Sequence, residues 1–186
     1  MQKYYKLEVA GLERDLLVCR VSEDICIAAF ILFDDVEMTV TAAEHLLRLA
    51  PEFDVIVTAE AKGIPLAHEM ARQRGNMEYI VARKSVKLYM KEAFSVEVQS
   101  ITTRSKQTLY ICSTEAERMK DKRVLIVDDV VSTGESIHAV EKLVQEAGGI
   151  VVGKMAILAE GDAKNRDDIT YLQYLPLLDR DGIPIE

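Results

Sequence analysis

The chain has 186 residues, with 49% hydrophobic and 29% charged positions, 9 Gly and 4 Pro. That balance excludes a disordered or low-complexity polypeptide and leaves a soluble globular protein of one domain, or of one domain with a small appendage. With 23 Lys and Arg against 31 Asp and Glu the formal net charge is −8, and so acidic a chain lacks the basic surplus on which phosphate-backbone binding draws, which argues against nucleic acid as a partner. Cys19, Cys26 and Cys112 are odd in number and lack CxxC spacing. Each lies in an apolar stretch, where cysteine packs as a small hydrophobe, so buried free thiols are expected. No apolar run approaches transmembrane length and the start, Met1 to Glu8, lacks the apolar core of a signal peptide. A cytoplasmic protein without a membrane partner is expected.

In chain order, Leu16–Val21 and Ile25–Phe30 read as strands divided by the turn-prone Ser22-Glu23-Asp24, which suggests a small antiparallel lobe. From Thr39 to Ala50 the apolar positions recur at helical spacing, and Pro51 marks the stop. Asp54–Thr58 reads as a buried strand, Ile64 to the residues before Gly75 as a helix, and Tyr79–Ala82 as the next strand. The polar stretch from about 84 to 108 reads as a long loop, and long loops in compact domains are usually functional. Leu109–Cys112 and Val124–Val127 follow as strands, then a helix with the inner face Ile137, Val140, Val144 and Ala147 that ends at Gly148-Gly149. Ile150–Leu158 and Tyr171–Leu175 supply further strands. Alternation of this kind predicts right-handed crossovers and an α/β fold: a doubly wound, mostly parallel sheet with helices on both faces. Residues 1–35 are then a β-rich N-terminal hood and residues 36–186 the α/β core.

The run Val124 to Val127 ends in Asp128-Asp129, and Val130 to Ser136 then opens a helix. Ligands of open α/β sheets sit beyond the carboxyl ends of strands. A helix N-terminus offers unpaired N–H groups and partial positive charge to a phosphate, and Ser132, Thr133 and Ser136 add hydroxyls. Two carboxylates would repel that phosphate but suit sugar hydroxyls or a phosphate-bound Mg²⁺. A helix cap needs one Asp rather than two and leaves Ser-Thr-Gly unexplained.

This segment resembles the phosphoribosyl-diphosphate (PRPP) motif of the type I phosphoribosyltransferases. The resemblance implies that Asp128 and Asp129 hold the ribose 3′- and 2′-hydroxyls, and that Val131, Ser132, Thr133, Gly134, Glu135 and Ser136 bind the 5′-phosphate. Glu135 departs from the Gly common in adenine-specific members. Glu60-Ala61-Lys62-Gly63 resembles the family's diphosphate loop, which makes Ala61, Lys62 and Gly63 diphosphate ligands, Lys62 among the catalytic residues. Lys gives the charge of the more usual Arg without its bidentate fork. Arg83, Lys84 and Lys87 match basic residues at the base of the flexible loop, although a charge run is also commonly a solvated face.

Ala93 to Glu97 resembles a segment of adenine phosphoribosyltransferases whose Glu reaches the base, which makes Glu97 the candidate for proton transfer. The stretch after it is longer than its counterpart. Leu32-Phe33-Asp34 resembles the segment that stacks on and reads the base, with Asp34 where Arg is usual and simple core packing as the alternative for Phe33. His45, His68 and His138 have no metal-ligand spacing. The implied activity is transfer of phosphoribosyl from PRPP to a purine, adenine preferred, in a homodimer, with Mg²⁺ held mainly through PRPP and no dedicated protein site. Xanthine phosphoribosyltransferases share the Glu-Ala-Lys-Gly-Ile loop. Purine repressors share Lys-Gly-Ile-Pro-Leu-Ala but carry a DNA-binding domain for which the stretch before Asp54 leaves no room.

Overall fold

A computed structural model describes residues 2–75, 77–90, 93–99 and 106–185. In β1 (Tyr4–Val9) polar and apolar residues alternate, so Leu7 and Val9 turn inward while Lys6 and Glu8 face solvent. A tight turn at Ala10 and Gly11, with φ of 53° and 77°, returns the chain into β2 (Leu12–Arg20), and β3 (Cys26–Ala29) completes an antiparallel sheet. Two consecutive positive φ values are the geometry of a two-residue hairpin, and glycine meets that demand at Gly11 without a Cβ penalty. Leu7, Val9, Leu16 and Phe30 join Met38, Leu46, Leu125 and Ile157 in one apolar cluster, so packing is continuous across residue 35.

Helix α1 (Val36–Leu49) starts three residues earlier than the apolar spacing predicts, because Asp35 caps it by accepting from the Met38 N–H at 3.0 Å. The Arg14 guanidinium also grips Asp35, at 2.6 and 2.9 Å. That contact holds the Asp35 carboxyl below its usual range against the effect of its partial burial, and it ties the N-terminal sheet to the helix.

The chain then runs through β4 (Val55–Ala59), α2 (Ile64–Gln73), β5 (Tyr79–Ala82), β6 (Ala93–Gln99), β7 (Lys106–Cys112) and α3 (Ser113–Met119). It continues through β8 (Arg123–Val131), α4 (Glu135–Glu146), β9 (Ile150–Glu160), a 3₁₀ turn at Gly161–Asn165 and β10 (Thr170–Leu175). The central sheet is parallel with order β10-β9-β8-β4-β5. Alternate residues of its strands face opposite layers. Ile56, Leu125 and Ile157 pack on α1 and α2, while Val57, Ile126 and Ala156 pack on α4. The fold is thus α/β, mostly parallel with helices on both faces, plus a small N-terminal antiparallel sheet.

Four details differ from the sequence reading. The stretch expected as a loop contains β6, antiparallel to a β7 that begins at Lys106 rather than Leu109; Val96, Leu109 and Ile111 are buried, so the segment follows a strand period of two. Helix α3 was not foreseen, and the Glu115 carboxylate accepts from the Cys112 N–H at 2.7 Å where it starts. Strand β8 carries Asp128 and Asp129 within it, not beyond it. Cys26 is buried, whereas Cys19 and Cys112 are only half-buried. Among the described residues no helix is long and apolar enough to cross a membrane.

Candidate active site

At the carboxyl ends of β4, β8 and β9 three groups of residues meet. Asp129 is 2% exposed, and its Oδ2 accepts from the Lys62 Nζ at 2.5 Å. This contact joins the end of β8 to the β4–α2 loop across 67 residues of chain. Within that loop the Glu60–Ala61 peptide is cis. A Cβ at Gly63 would lie 2.3 Å from the Thr58 Oγ1 and 2.9 Å from the Asp128 Oδ1, so only glycine lets the loop lie this close to β8. The Asp129 N–H donates to the Asp128 Oδ1 at 2.9 Å. Burial pushes the Asp128 carboxyl well above the usual range and the neighbouring Asp129 charge adds to this, while Lys62 opposes it.

At the N-terminus of α4, Asp128, Val131, Ser132, Thr133, Gly134 and Ser136 line a cavity of about 80 Å³. Gly134, with φ of 79°, takes the left-handed conformation that opens the helix. The Arg166 guanidinium lies against it; a Cβ there would be 2.2 Å from Nη1. Arg166 is also forked onto Asp168 at 3.0 and 2.8 Å. No short motif marked Arg166 in the sequence, since it reaches the loop only through the β9–β10 connection.

Arg83, Lys84 and Lys87 gather around Glu60. Its carboxylate accepts from the Lys84 N–H at 3.1 Å and pairs with Lys87 at 3.5 Å and Arg83 at 4.0 Å. The Lys84 hydrogen bond, followed by the two cations, holds Glu60 below the usual carboxylate range despite partial burial. The basic residues of the sequence motif therefore meet at the β4–α2 loop, Arg83 and Lys87 by their side chains and Lys84 by its backbone around Glu60, and Lys62 on Asp129.

A larger cavity of about 300 Å³ opens between the N-terminal sheet and this site, lined by residues 27–31 together with Lys62, Ser132, Glu160 and Leu175. Leu32, Phe33 and Asp34 do not line it. Leu32 is fully buried in the core. Phe33 is 61% exposed over a separate groove beside Val36, Val40 and His68, and Asp34 lines a third cavity with Arg14. A turn closed by the Asp35 N–H on the Leu32 carbonyl carries these residues toward α1, and Ala29 to Ile31 stand at the cavity instead. The Glu97 backbone in β6 pairs with Thr108 of β7, but its side chain lies outside the described residues. Glu160 was missed in the sequence. Its signal is the one that marked Asp128, an acid closing an apolar strand, here Met155 to Ala159. Burial raises the Glu160 carboxyl, Lys62 draws it down and Asp129 pushes it up.

Elsewhere, His45 contacts the Thr41 carbonyl oxygen at 2.9 Å and His68 meets Tyr79 edge-on. Among the described residues no group of three or more His, Cys, Asp or Glu side chains is arranged to hold a metal ion.

Residues 38–184 match the phosphoribosyl transferase domain. A hypoxanthine/guanine phosphoribosyltransferase of Methanococcus voltae is 38% identical over 125 residues, 67% of this chain and 63% of that protein. One of Methanosarcina acetivorans is 34% identical over 64% of this chain and 59% of its own length, so the chain spans about three fifths of these relatives. Among solved structures, adenine phosphoribosyltransferase from Thermoanaerobacter pseudethanolicus superposes with a TM-score of 0.65 at 27% identity, covering 77% of this chain and 84% of that one. The Rhodothermus marinus enzyme of the same name shares the fold at 19% identity and a TM-score of 0.64, over 93% and 94% of the two chains. The domain match takes in both loops and the paired acids, and the chain belongs to the type I phosphoribosyltransferase family.

Proposed function

We propose that this chain transfers phosphoribosyl from PRPP to a ring nitrogen of a purine base, adenine by preference, and releases diphosphate. The Asp129–Lys62 contact carries the reading: it sets the paired acids of β8 and the cation of the diphosphate loop side by side, next to the helix N-terminus at Ser132–Ser136. In this reading Asp128 and Asp129 accept from the ribose hydroxyls, and residues 131–136 hold the 5′-phosphate. The bond from the anomeric carbon to diphosphate breaks through an oxocarbenium-like state, as in glycosyl transfer generally. Lys62, Arg83, Lys84 and Lys87 then stabilise the departing charge, and the segment from 84 to 108 excludes water. Glu97 handles the proton at the base. Because Lys62 already engages Asp129, the residues fit a Mg²⁺ brought in on substrate oxygens, where it supplies charge neutralisation, better than one caged by side chains. Residues 1–35 act as the hood over the base, and the protein works as a cytoplasmic homodimer.

Likeness to the Thermoanaerobacter adenine enzyme supports adenine. A second reading, hypoxanthine and guanine, is favoured by the names of the sequence relatives and by the position of Phe33 away from the cavity. The test supplies PRPP and Mg²⁺ with adenine, hypoxanthine, guanine, xanthine and orotate in parallel. Nucleoside monophosphate and diphosphate should appear with a purine. Tight PRPP binding without turnover of any base would instead identify a sensor.

A further inference from the structure

Resting on the purine reading above, we propose that Glu160 reads the hydrogen-bonding edge of the bound purine, and that its protonation state sets which purine is preferred. Glu160 ends β9 at the 300 Å³ cavity, opposite the apolar residues 27–31 of the N-terminal sheet. Among the described residues no hydrogen-bond or salt-bridge partner takes up its carboxyl. Only Lys62 shares the cavity as a second charged side chain, and it is engaged by Asp129 at 2.5 Å. Glu160 is thus the group in this cavity best able to tell one base edge from another.

The chemistry of a carboxyl group gives the discrimination. An ionised carboxylate offers two acceptors, which match the N1–H and 2-amino donors of guanine, but it faces the N1 lone pair of adenine unfavourably. A neutral carboxyl offers one acceptor and one donor, which match the 6-amino group and N1 of adenine. A mismatch leaves a buried polar group unpaired, the kind of error that sites discriminate against most strongly.

The surroundings favour the neutral form more than water does. Burial raises the Glu160 carboxyl toward neutrality, Asp129 on β8 acts in the same direction, and Lys62 on the diphosphate loop opposes them. The parts of the N-terminal sheet and β10 that line the cavity contribute Ile27 to Ile31 and Leu175, none of them charged.

The experiment measures kcat/KM for adenine and guanine with saturating PRPP and Mg²⁺ from about pH 5.5 to about pH 8, above the ordinary carboxylate range and with both bases neutral. The guanine-to-adenine ratio should climb by about tenfold or more with rising pH in the wild type. It should be flat in E160Q, which cannot titrate, and should climb again in E160D. A flat wild-type ratio, or a slope that persists in E160Q, would overturn the role of Glu160 while leaving phosphoribosyl transfer intact. Absence of nucleotide product with every base would overturn the transferase reading, and the assignment of Glu160 with it.

Discussion

The proposed ribose-phosphate end of the site is built mainly on one continuous stretch, Asp128 to Ser136, whereas the proposed base end is assembled from residues 27–31, Lys62, Glu160 and Leu175 and takes only Val130 and Ser132 from that stretch. In the first, local geometry does the positioning: a strand end, the Asp129 N–H on Asp128, and a left-handed glycine opening a helix. In the second, tertiary packing decides which side chains reach the cavity, so neighbours in sequence such as Ile31 and Phe33 end on different surfaces. Under the proposed function the reacting sugar is held by a unit that tolerates little change, and base choice falls mostly to parts outside it.

The largest test of this contrast is the double substitution D128N/D129N. It should lower kcat/KM by about two orders of magnitude or more through lost positioning, while far-UV circular dichroism shows a retained fold. Next, Lys62→Ala should weaken both PRPP use and diphosphate product inhibition by about tenfold, the size of a lost charge-assisted hydrogen bond. G63A should cost about 1–3 kcal/mol in chemical denaturation, since its Cβ would press on Thr58 and on Asp128. An effect on base KM but not on PRPP would break the assignment of that loop.

Stability should also report on Asp128. A carboxyl whose folded pKa lies above its unfolded value contributes stability that is complete below the unfolded pKa and is lost as pH rises through the folded one. D128N should therefore raise the melting temperature of the ligand-free protein near neutral pH, and the gain should vanish below about pH 4. The smallest effect is expected from Phe33→Ala. With the ring on a separate groove, base KM should stay within about twofold of wild type, the range of a surface substitution; a large rise would return Phe33 to the base end.

Legibility in the sequence followed the same division. The parallel strands and their crossovers were readable because buried strands are unbroken apolar runs and the helices keep one apolar face. The paired acids and the glycine-containing loops could be singled out because their chemistry is local, and the fold brings them side by side. Strand β6 was missed because its inward residues, such as Val96, are separated by polar ones in a segment already taken for a loop. Glu160 was missed because one acid at a strand end carries no motif, and gains meaning only when β9 is seen beside β8. Phe33 stands on a separate groove because the turn before α1 carries it there; aromatic residues suit both stacking and packing, and its sequence does not separate the two.

Glu60 has a further consequence for how diphosphate comes and goes. Its carboxylate is a resident counterion for Arg83 and Lys87 and accepts from the Lys84 backbone N–H, so under the proposed function the cations of the diphosphate site are partly neutralised before any ligand arrives. In the proposed reaction diphosphate would then enter by exchange with an internal anion rather than by capture in a bare positive pocket. The same carboxylate would be at hand to reclaim those cations at the end of the proposed cycle, which would weaken the grip on the product and keep release from stalling turnover.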